Sequence, residues 1–235
     1  MTKVFIITGA ADGIGKACVI KIAEQNPNSV FGLIDIQKEK LIALGKELEL
    51  NHQVVLFDID VTDYTNINRS VLAFLKQYNR LDGLINSAGF IEPFKVENTP
   101  LEMWKTTFEV NIHAIFNLTQ LCHSYLKKVH GRIVNIASTS ASSPRPGWTA
   151  YAASKAALLN FSLSCSEEFE PDFIKVYCVS PGRCATELRK RQAPNEDPTT
   201  IMQPDQVGTF VADLLSEKGK HLDGQDLVIR RQIRL

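Results

Sequence analysis

Short apolar runs alternate along the chain with longer stretches in which apolar positions return at a spacing of three and four. The runs predict strands over Lys3–Thr8, Val30–Ile34, Val54–Phe57, Gly83–Asn86, Gly131–Ala137, Lys175–Val179 and Asp226–Ile229. The stretches between them predict helices over Ile14–Gln25, Lys38–Leu50, Tyr64–Tyr78, Leu101–Lys128, Thr149–Phe169 and Pro204–Ser216. The strands read as near-continuous apolar runs, so both their faces are buried. That pattern predicts an α/β fold, a doubly wound parallel sheet with helices on both faces. No repeat, low-complexity tract or Gly/Ser linker interrupts it, and the most loop-like stretch is Pro194–Pro198, "PNEDP". One domain over residues 1–235 is expected.

In a parallel sheet the C-terminal ends of the strands share one edge, and ligands bind in the crevice there. The expected strands are followed in turn by "TGAADGIG", Asp35, "DID" ending at Asp60, "NSAG", "STSAS" and "SPGRCAT". Gly, Asn, Asp, Ser and Pro are ordinary turn formers, so any one of these ends can be only a turn. All of them together point to a site.

Composition narrows the field. The chain has 235 residues, 44% of them hydrophobic, and zero formal net charge. No charge excess points to nucleic acid or to an anionic membrane surface. The five cysteines (Cys18, Cys122, Cys165, Cys178 and Cys184) form no CxxC pair, which suits reduced thiols and a cytoplasmic protein. "TKVFIITG" reads as a strand and not a signal peptide, and no apolar stretch is long enough to span a bilayer. His52, His113, His123, His130 and His221 show no metal-ligand spacing, and no Gly-x-Ser-x-Gly elbow is present. No metal is expected.

"TGAADGIG" places Gly9, Gly13 and Gly15 between a strand and a helix, with Ala11, Asp12 and Ile14 among them. Such a loop lets backbone approach a pyrophosphate at the N-terminus of a helix. A plain strand–helix turn is the alternative, and Asp35 weighs against it. Asp35 ends the second strand about 20 residues on, where an acid can hold the ribose hydroxyls of NAD. Asp35 and Asp12 would repel a 2′-phosphate, and no Arg or Lys stands at either position, so NAD is the expected cofactor. Ile36 follows Asp35 at the same edge. Asp60 and the Val61 amide are candidates to contact the adenine, although Asp60 can equally cap the helix after it. Asn86, Ala88 and Gly89 are expected to form a backbone wall beside the adenine ribose.

In "YAASK", Tyr151 and Lys155 sit i and i+4 and share a helix face. A phenol titrates near 10, too high for a base at neutral pH. An ammonium about 4 Å away at an effective dielectric near 20 is worth about 4 kcal/mol, enough to lower that pKa by about two to three. Lys155 is thus expected to tune Tyr151, and it can also hold the nicotinamide ribose. Ser138 follows the fifth strand, where it can donate to a substrate oxygen that gains charge. Asn111 lies within a long helical stretch, where it can kink the helix, hold water and pass protons. Each of these residues alone also fits a surface pair, a turn or a solvated helix position.

Taken in order, "TGAADGIG", "NSAG", Asn111, Ser138 and "YAASK" resemble the short-chain dehydrogenase/reductase family. The resemblance covers nearly the whole chain, including the separation of Ser138 from Tyr151. It implies a single Rossmann-like domain and a catalytic tetrad of Asn111, Ser138, Tyr151 and Lys155. "PGRCAT" is similar to a family segment that closes over the nicotinamide. Pro181 and Gly182 would line the ring, and Thr186 would reach the carboxamide or diphosphate. Two departures stand out: Ser87 replaces an asparagine common in the family, and the chain ends in "GQDLVIRRQIRL" with Arg230, Arg231 and Arg234. The tail puts tail-mediated tetramer contacts in doubt. The resemblance implies a homodimer or homotetramer, with a dimer through Leu101–Lys128 and Thr149–Phe169 the simpler form.

The substrate segment is expected at about 183–204. Arg183 and Arg189, with Lys190, Arg191 and Arg145, can form an anion site or a solvated basic face. Few large apolar residues are expected in the pocket beyond Trp148 and Phe90. The expected function is therefore NAD-linked interconversion of an alcohol and a carbonyl on a small polar molecule, such as a sugar, polyol or phosphorylated derivative. A non-catalytic dinucleotide sensor or scaffold on the same fold is the alternative from another class. An epimerase or dehydratase that regenerates its NAD is a third.

Overall fold

Residues 2–222 and 224–231 are described by a computed structural model of the chain. β1 (Val4–Thr8), β2 (Val30–Asp35), β3 (Gln53–Asp58), β4 (Gly83–Asn86), β5 (Arg132–Ile136), β6 (Lys175–Pro181) and β7 (Asp226–Ile229) form one seven-stranded sheet. Its order is β3-β2-β1-β4-β5-β6-β7, and every pair is parallel. The order reverses between β1 and β4, which opens a crevice at their C-terminal ends.

Alternation along β1 shows why helices flank both faces. Phe5 and Ile7 enter one core with Val19 and Ile22 of α1 (Gly13–Gln25), Leu41 and Leu44 of α2 (Lys38–Leu48), and Val207 and Val211 of α8 (Pro204–Leu214). Val4 and Ile6 enter the other core with Ile67 and Val71 of α3 (Tyr64–Tyr78), Leu118 and Leu126 of α5 (Ala114–Lys127), and Cys165 of α6 (Thr149–Phe169). Side chains on a strand alternate between faces, so one apolar run feeds two cores. This is the doubly wound Rossmann-like sheet that the alternation predicted.

Two elements depart from the reading. The expected single helix over Leu101–Lys128 is α4 (Leu101–Phe108), a π turn over Glu109–His113, and then α5. Periodicity carries no signal for a π turn, which adds one residue to a helix without ending it. The substrate segment contains a short helix, α7 (Glu187–Gln192), whose N-cap Thr186 accepts a hydrogen bond from Arg189 N at 3.1 Å. At the neck of this segment Ala185 N donates to Met202 O at 2.8 Å, and Met202 N donates to Arg183 O at 3.1 Å. The C-terminal Arg234 lies outside the described residues.

Candidate active site

The β1–α1 turn is packed so tightly that only glycine fits at two of its positions. Gly9 has φ +63°, and a Cβ there would lie 2.8 Å from Ala88 N. A Cβ on Gly15 would lie 1.9 Å from Gly9 O. At Gly13 a Cβ would meet Thr186 Cγ2 at 3.1 Å, so the segment after β6 comes down onto the loop. The N-cap of α1 is Asp12, which accepts from Gly13 N at 2.7 Å. The loop thus presents close-approach backbone and a helix N-terminus, the cradle a dinucleotide pyrophosphate needs.

Asp35 is buried and rigid. Its Oδ2 accepts from Ala11 N at 2.9 Å and its Oδ1 from Gln37 N at 2.8 Å. Each oxygen keeps a lone pair for a ribose hydroxyl. Asp12 is not the unpaired charge that the sequence suggested, because Lys40 Nζ of α2 lies 2.5 Å from its Oδ2. Burial raises the Asp12 carboxyl, but Lys40, the Gly13 amide and Lys16 outweigh it and hold the group below its ordinary value. Asp60 spends Oδ1 on Thr62 N at 2.9 Å and on the Thr62 hydroxyl at 2.7 Å, so it caps the turn before α3.

These groups line a cleft of about 1520 Å³ together with Ile14, Ile36, Val61, Ala88, Gly89, Pro181, Gly182 and Thr186. Single-ligand pockets run to about 1,000 Å³, so the cleft has room for a dinucleotide and a substrate. Three expected site residues do not line it. Ala11 is buried behind Asp35, Asn86 turns away to donate to Asn135 Oδ1 at 2.8 Å, and Asn111 lies beneath the surface. Their roles are to support the wall.

The far end of the cleft gathers the other candidates. Tyr151 and Ser138 both line this end, and Ser138 Oγ accepts from Ser140 N at 3.1 Å. Lys155 is buried, with Nζ 5.8 Å from the centroid of the Tyr151 ring and donating to Ile136 O at 2.8 Å. A Cβ on Gly89 would sit 3.7 Å from Asn111 Oδ1 and 3.8 Å from Lys155 Nζ, ordinary contact distances that place the Gly89 backbone beside both groups. Burial sets both proton affinities. It raises the Tyr151 phenol, with the Ser138 side chain pulling the other way, and it pushes the Lys155 ammonium down to about 8. The expected lowering of Tyr151 by Lys155 is absent from the protein alone. Burial disfavours charge on both groups, and a spacing of four residues carries no information about burial.

Asn111 sits in the π turn, fully buried. Its Oδ1 accepts from Phe90 N at 2.8 Å, and its Nδ2 donates to Phe90 O at 2.9 Å and to Ser154 Oγ at 2.9 Å. Both amide hydrogens are used, so the side chain positions structure and has no proton left to give to water. On the outer side of the same turn, Tyr64 donates to Glu109 Oε2 at 2.5 Å, and His113 Nδ1 lies 3.0 Å from Glu109 Oε1. Sequence reading missed Ser154, Tyr64, Glu109 and Lys40, because each acts on a partner in another element or turn.

The substrate end differs most from expectation. Trp148 stands edge-on to Tyr151 at 6.3 Å, and the Arg189 guanidinium lies 5.6 Å from the Trp148 ring. Glu196 takes two of the arginines of the expected anion site: Arg189 at 2.6 and 3.0 Å, and Arg183 at 2.8 Å. Nothing in "PNEDP" marks Glu196 as that partner. Arg145 makes only a 3.5 Å contact with Thr139 Oγ1, while Arg230 and Arg231 reach the cleft from the end of β7. Ile91, Val110, Leu188 and Ile201 join Phe90 and Trp148, so the walls are more apolar than expected. All five cysteines are free and buried. Among the described residues there is no His/Cys/Asp/Glu cluster able to hold a metal, and no helix long and apolar enough to cross a membrane.

Known proteins share this fold. The chain is 32% identical to the 3-oxoacyl-[acyl-carrier-protein] reductase FabG of Thermotoga maritima, over 95% of this chain and 94% of that protein. It is 31% identical to the NAD-dependent glycerol dehydrogenase of Listeria innocua, over 97% and 92%. Its fold superposes on 4-hydroxyisoleucine dehydrogenase complexed with NADH at a TM-score of 0.85 and 28% identity, covering 97% of each chain. It superposes on a short chain dehydrogenase from Burkholderia cenocepacia in complex with NADP at 0.87 and 25% identity, covering 97% and 96%. The family model described as short chain dehydrogenase matches residues 3–197. On these matches the chain belongs to the short-chain dehydrogenase family of oxidoreductases.

Proposed function

We propose that this oxidoreductase interconverts an alcohol and a carbonyl with NAD(H), using Tyr151 as general acid and base. The observation that carries the reading is the cluster itself: Ser138 and the Tyr151 phenol on one cleft wall, a buried ammonium 5.8 Å from the Tyr151 ring, and the glycine loop at the same sheet edge.

When bound, the dinucleotide supplies the hydride chemistry. Tyr151 gives its proton to the carbonyl oxygen in reduction and takes one from the hydroxyl in oxidation. Ser138 donates to that oxygen as charge develops, a contribution of about 10²–10³ in rate for one such donor. Lys155 stabilises negative charge on the phenol, and Asn111 holds the Phe90 backbone and Ser154 in place around them.

Asp35 supports NAD over NADP, since a 2′-phosphate there meets a buried carboxylate. A charged rim over apolar walls supports a small polar substrate, a polyol, sugar or phosphorylated derivative; one relative is named for glycerol. Reduced thiols support a cytoplasmic setting. Leu101 (65% exposed), Trp104 (38%) and Phe116 (53%) on α4 and α5 support a homodimer or homotetramer.

A panel of alcohols and carbonyls followed by NADH absorbance tests the reading. Turnover is expected with wild type, and Tyr151→Phe is expected to bind NADH normally while losing about 10²–10⁴ in kcat. Binding without turnover on any substrate, unaltered by Tyr151→Phe, would favour a sensor.

A further inference from the structure

Charge in the cleft is divided along the sheet. Among the described residues that line it, the loops after β1, β2 and β3 contribute Asp12, Asp35 and Asp60 and no cation. Lys40 pairs with Asp12 without lining the cleft. Besides Lys155, the segments after β5, β6 and β7 contribute Arg145, Arg183, Arg189, Arg191, Arg230 and Arg231, and the one acid on them that lines the cleft is Glu187. Glu92, after β4, stands between the two halves. A chain of zero formal net charge thus presents a basic half-cleft where Ser138 and Tyr151 lie. A cleft lined by one sign of charge concentrates ligands of the other sign.

Several of these arginines are already engaged. Glu196 holds Arg183 and Arg189, and Arg231 donates to Thr199 O and Ile201 O. Arg145 is different. Among the described residues it meets no carboxylate, and its one polar side-chain contact is Nη2 to Thr139 Oγ1 at 3.5 Å, at the limit of a hydrogen bond. Thr139 follows Ser138, so the guanidinium stands beside the residue that would hold the reacting oxygen. Pro144 and Pro146 restrict the backbone on either side of Arg145, and Arg145 O accepts from Trp148 N at 2.9 Å. A loop stiffened in this way presents its side chain at a reduced entropic cost. Arg191 and Arg230 are also without an ion pair, but Arg191 lies on α7 and Arg230 runs past Gly182, and no contact ties either to Ser138.

We propose that the substrate is an anion, a hydroxy acid or a polyol phosphate, and that Arg145 is the specificity-determining residue that takes its oxyanion. The inference rests on the alcohol–carbonyl reading above and narrows its substrate class. The planar fork of a guanidinium meets a carboxylate or a phosphate with paired hydrogen bonds, so the two groups are separate arms of one test.

That test extends the alcohol panel with matched pairs differing by one anionic group: 3-hydroxybutyrate against butan-2-ol, and glycerol 3-phosphate against glycerol. Oxidation is followed by NADH absorbance in wild type, Arg145→Gln and Arg145→Lys. Wild type is expected to prefer the anion in at least one pair by about 100-fold in kcat/KM, and the pair that shows it tells carboxylate from phosphate. Arg145→Gln is expected to cut that preference by about tenfold or more, chiefly through KM, as one charge-assisted hydrogen bond is lost. Arg145→Lys keeps the charge without the fork and is expected to lose less. High salt is expected to weaken the wild-type preference. NADH affinity, read by fluorescence titration, is expected to be the same in all three proteins.

Neutral members oxidised as well as their anions, or oxidised alone, overturn the inference and leave the alcohol–carbonyl reading standing. An anion preference that survives Arg145→Gln in full removes Arg145 from the site and overturns the inference as stated. No turnover of any alcohol or carbonyl, neutral or anionic, overturns the reading and this inference with it.

Discussion

Asn111 and Ser154 are joined at the centre of the site: Asn111 Nδ2 donates to Ser154 Oγ at 2.9 Å, and Ser154 donates onward to Tyr151 O at 2.8 Å. Both side chains are fully buried. One hydroxyl thus couples the π turn to the helix that carries Tyr151 and Lys155. It also explains a serine in a stretch otherwise cleared by alanines.

Ser154→Ala is expected to leave an amide hydrogen of Asn111 without a partner. A buried group left unpaired costs about 1–3 kcal/mol. Chemical denaturation should show a loss of that size. Turnover should fall with NADH affinity unchanged, since the glycine loop is untouched. A variant as stable and active as wild type would show that the coupling carries nothing.

Gly15→Ala is expected to abolish dinucleotide binding. Its Cβ would be driven into Gly9 O at 1.9 Å, a contact only a shifted backbone relieves. Gly9 cannot yield, because it is itself pressed against the Ala88 backbone. NADH fluorescence titration measures the loss, and circular dichroism separates it from unfolding. Overpacking of this kind costs about 1–3 kcal/mol or more, so reduced stability is expected as well.

Glu196→Gln tests whether the clasp orders the substrate segment. Hydrogen bonds from Arg189 hold the Glu196 carboxyl below its ordinary value, and Arg183 adds to them. The folded pKa is depressed, so the stabilisation is present above the ordinary carboxylate range. It is lost as pH falls through the folded value. With Arg183 side chain 56% exposed, solvent screening limits the clasp to about 1 kcal/mol. The variant is expected to melt about 2–4 °C lower at pH 7, and the gap to close as pH falls through the folded pKa of Glu196. A raised KM at unchanged NADH affinity would accompany it. An unchanged melting curve at pH 7 would remove the clasp from the account.

The sheet and its edge were legible because a parallel sheet leaves two marks in sequence: unbroken apolar strands and turn residues at every strand end. Tyr64–Tyr78 and Gly83–Asn86 came out with the bounds expected of them. The π turn was not legible, since Asn111 sits in an unbroken helical pattern whose one extra residue has no compositional signature. Lys40 and Glu196 were hidden for a different reason. Each is a charge on an exposed stretch whose partner lies on another element, and only the fold joins them. The proximity of Tyr151 to Lys155 was read correctly, but its electrostatic consequence was not. That consequence depends on burial, which spacing along a helix does not reveal.

Lys155→Met follows from that burial. The ammonium is pushed down to about 8 from an ordinary 10.5. Between those values the unfolded chain binds the proton more strongly than the folded one, so this group's contribution makes stability rise with pH across the window. Below about pH 8 the folded protein carries the full cost of a buried charge. At 1.36 kcal/mol for each pKa unit, that cost is about 3 kcal/mol. Methionine removes it, while also giving up the hydrogen bond to Ile136 O, worth about 1.5–3 kcal/mol for a charged donor. The two effects nearly cancel at pH 7, so the variant is expected to be within about 1 kcal/mol of wild type there. As pH rises from 8 to 10.5 wild type loses its penalty, and the variant should fall progressively behind. Burial also raises the thiols of Cys18 and Cys184 to about 12, which lowers stability at high pH in both proteins and drops out of the difference, whereas Cys178, raised likewise, is held down by Lys155 in wild type alone and so widens the gap at high pH. Urea midpoints of both proteins at pH 7, 8, 9 and 10 measure that difference. A gap that does not change with pH would mean that Lys155 binds its proton alike in the folded and unfolded chain, and burial would then not set its proton affinity beneath Tyr151.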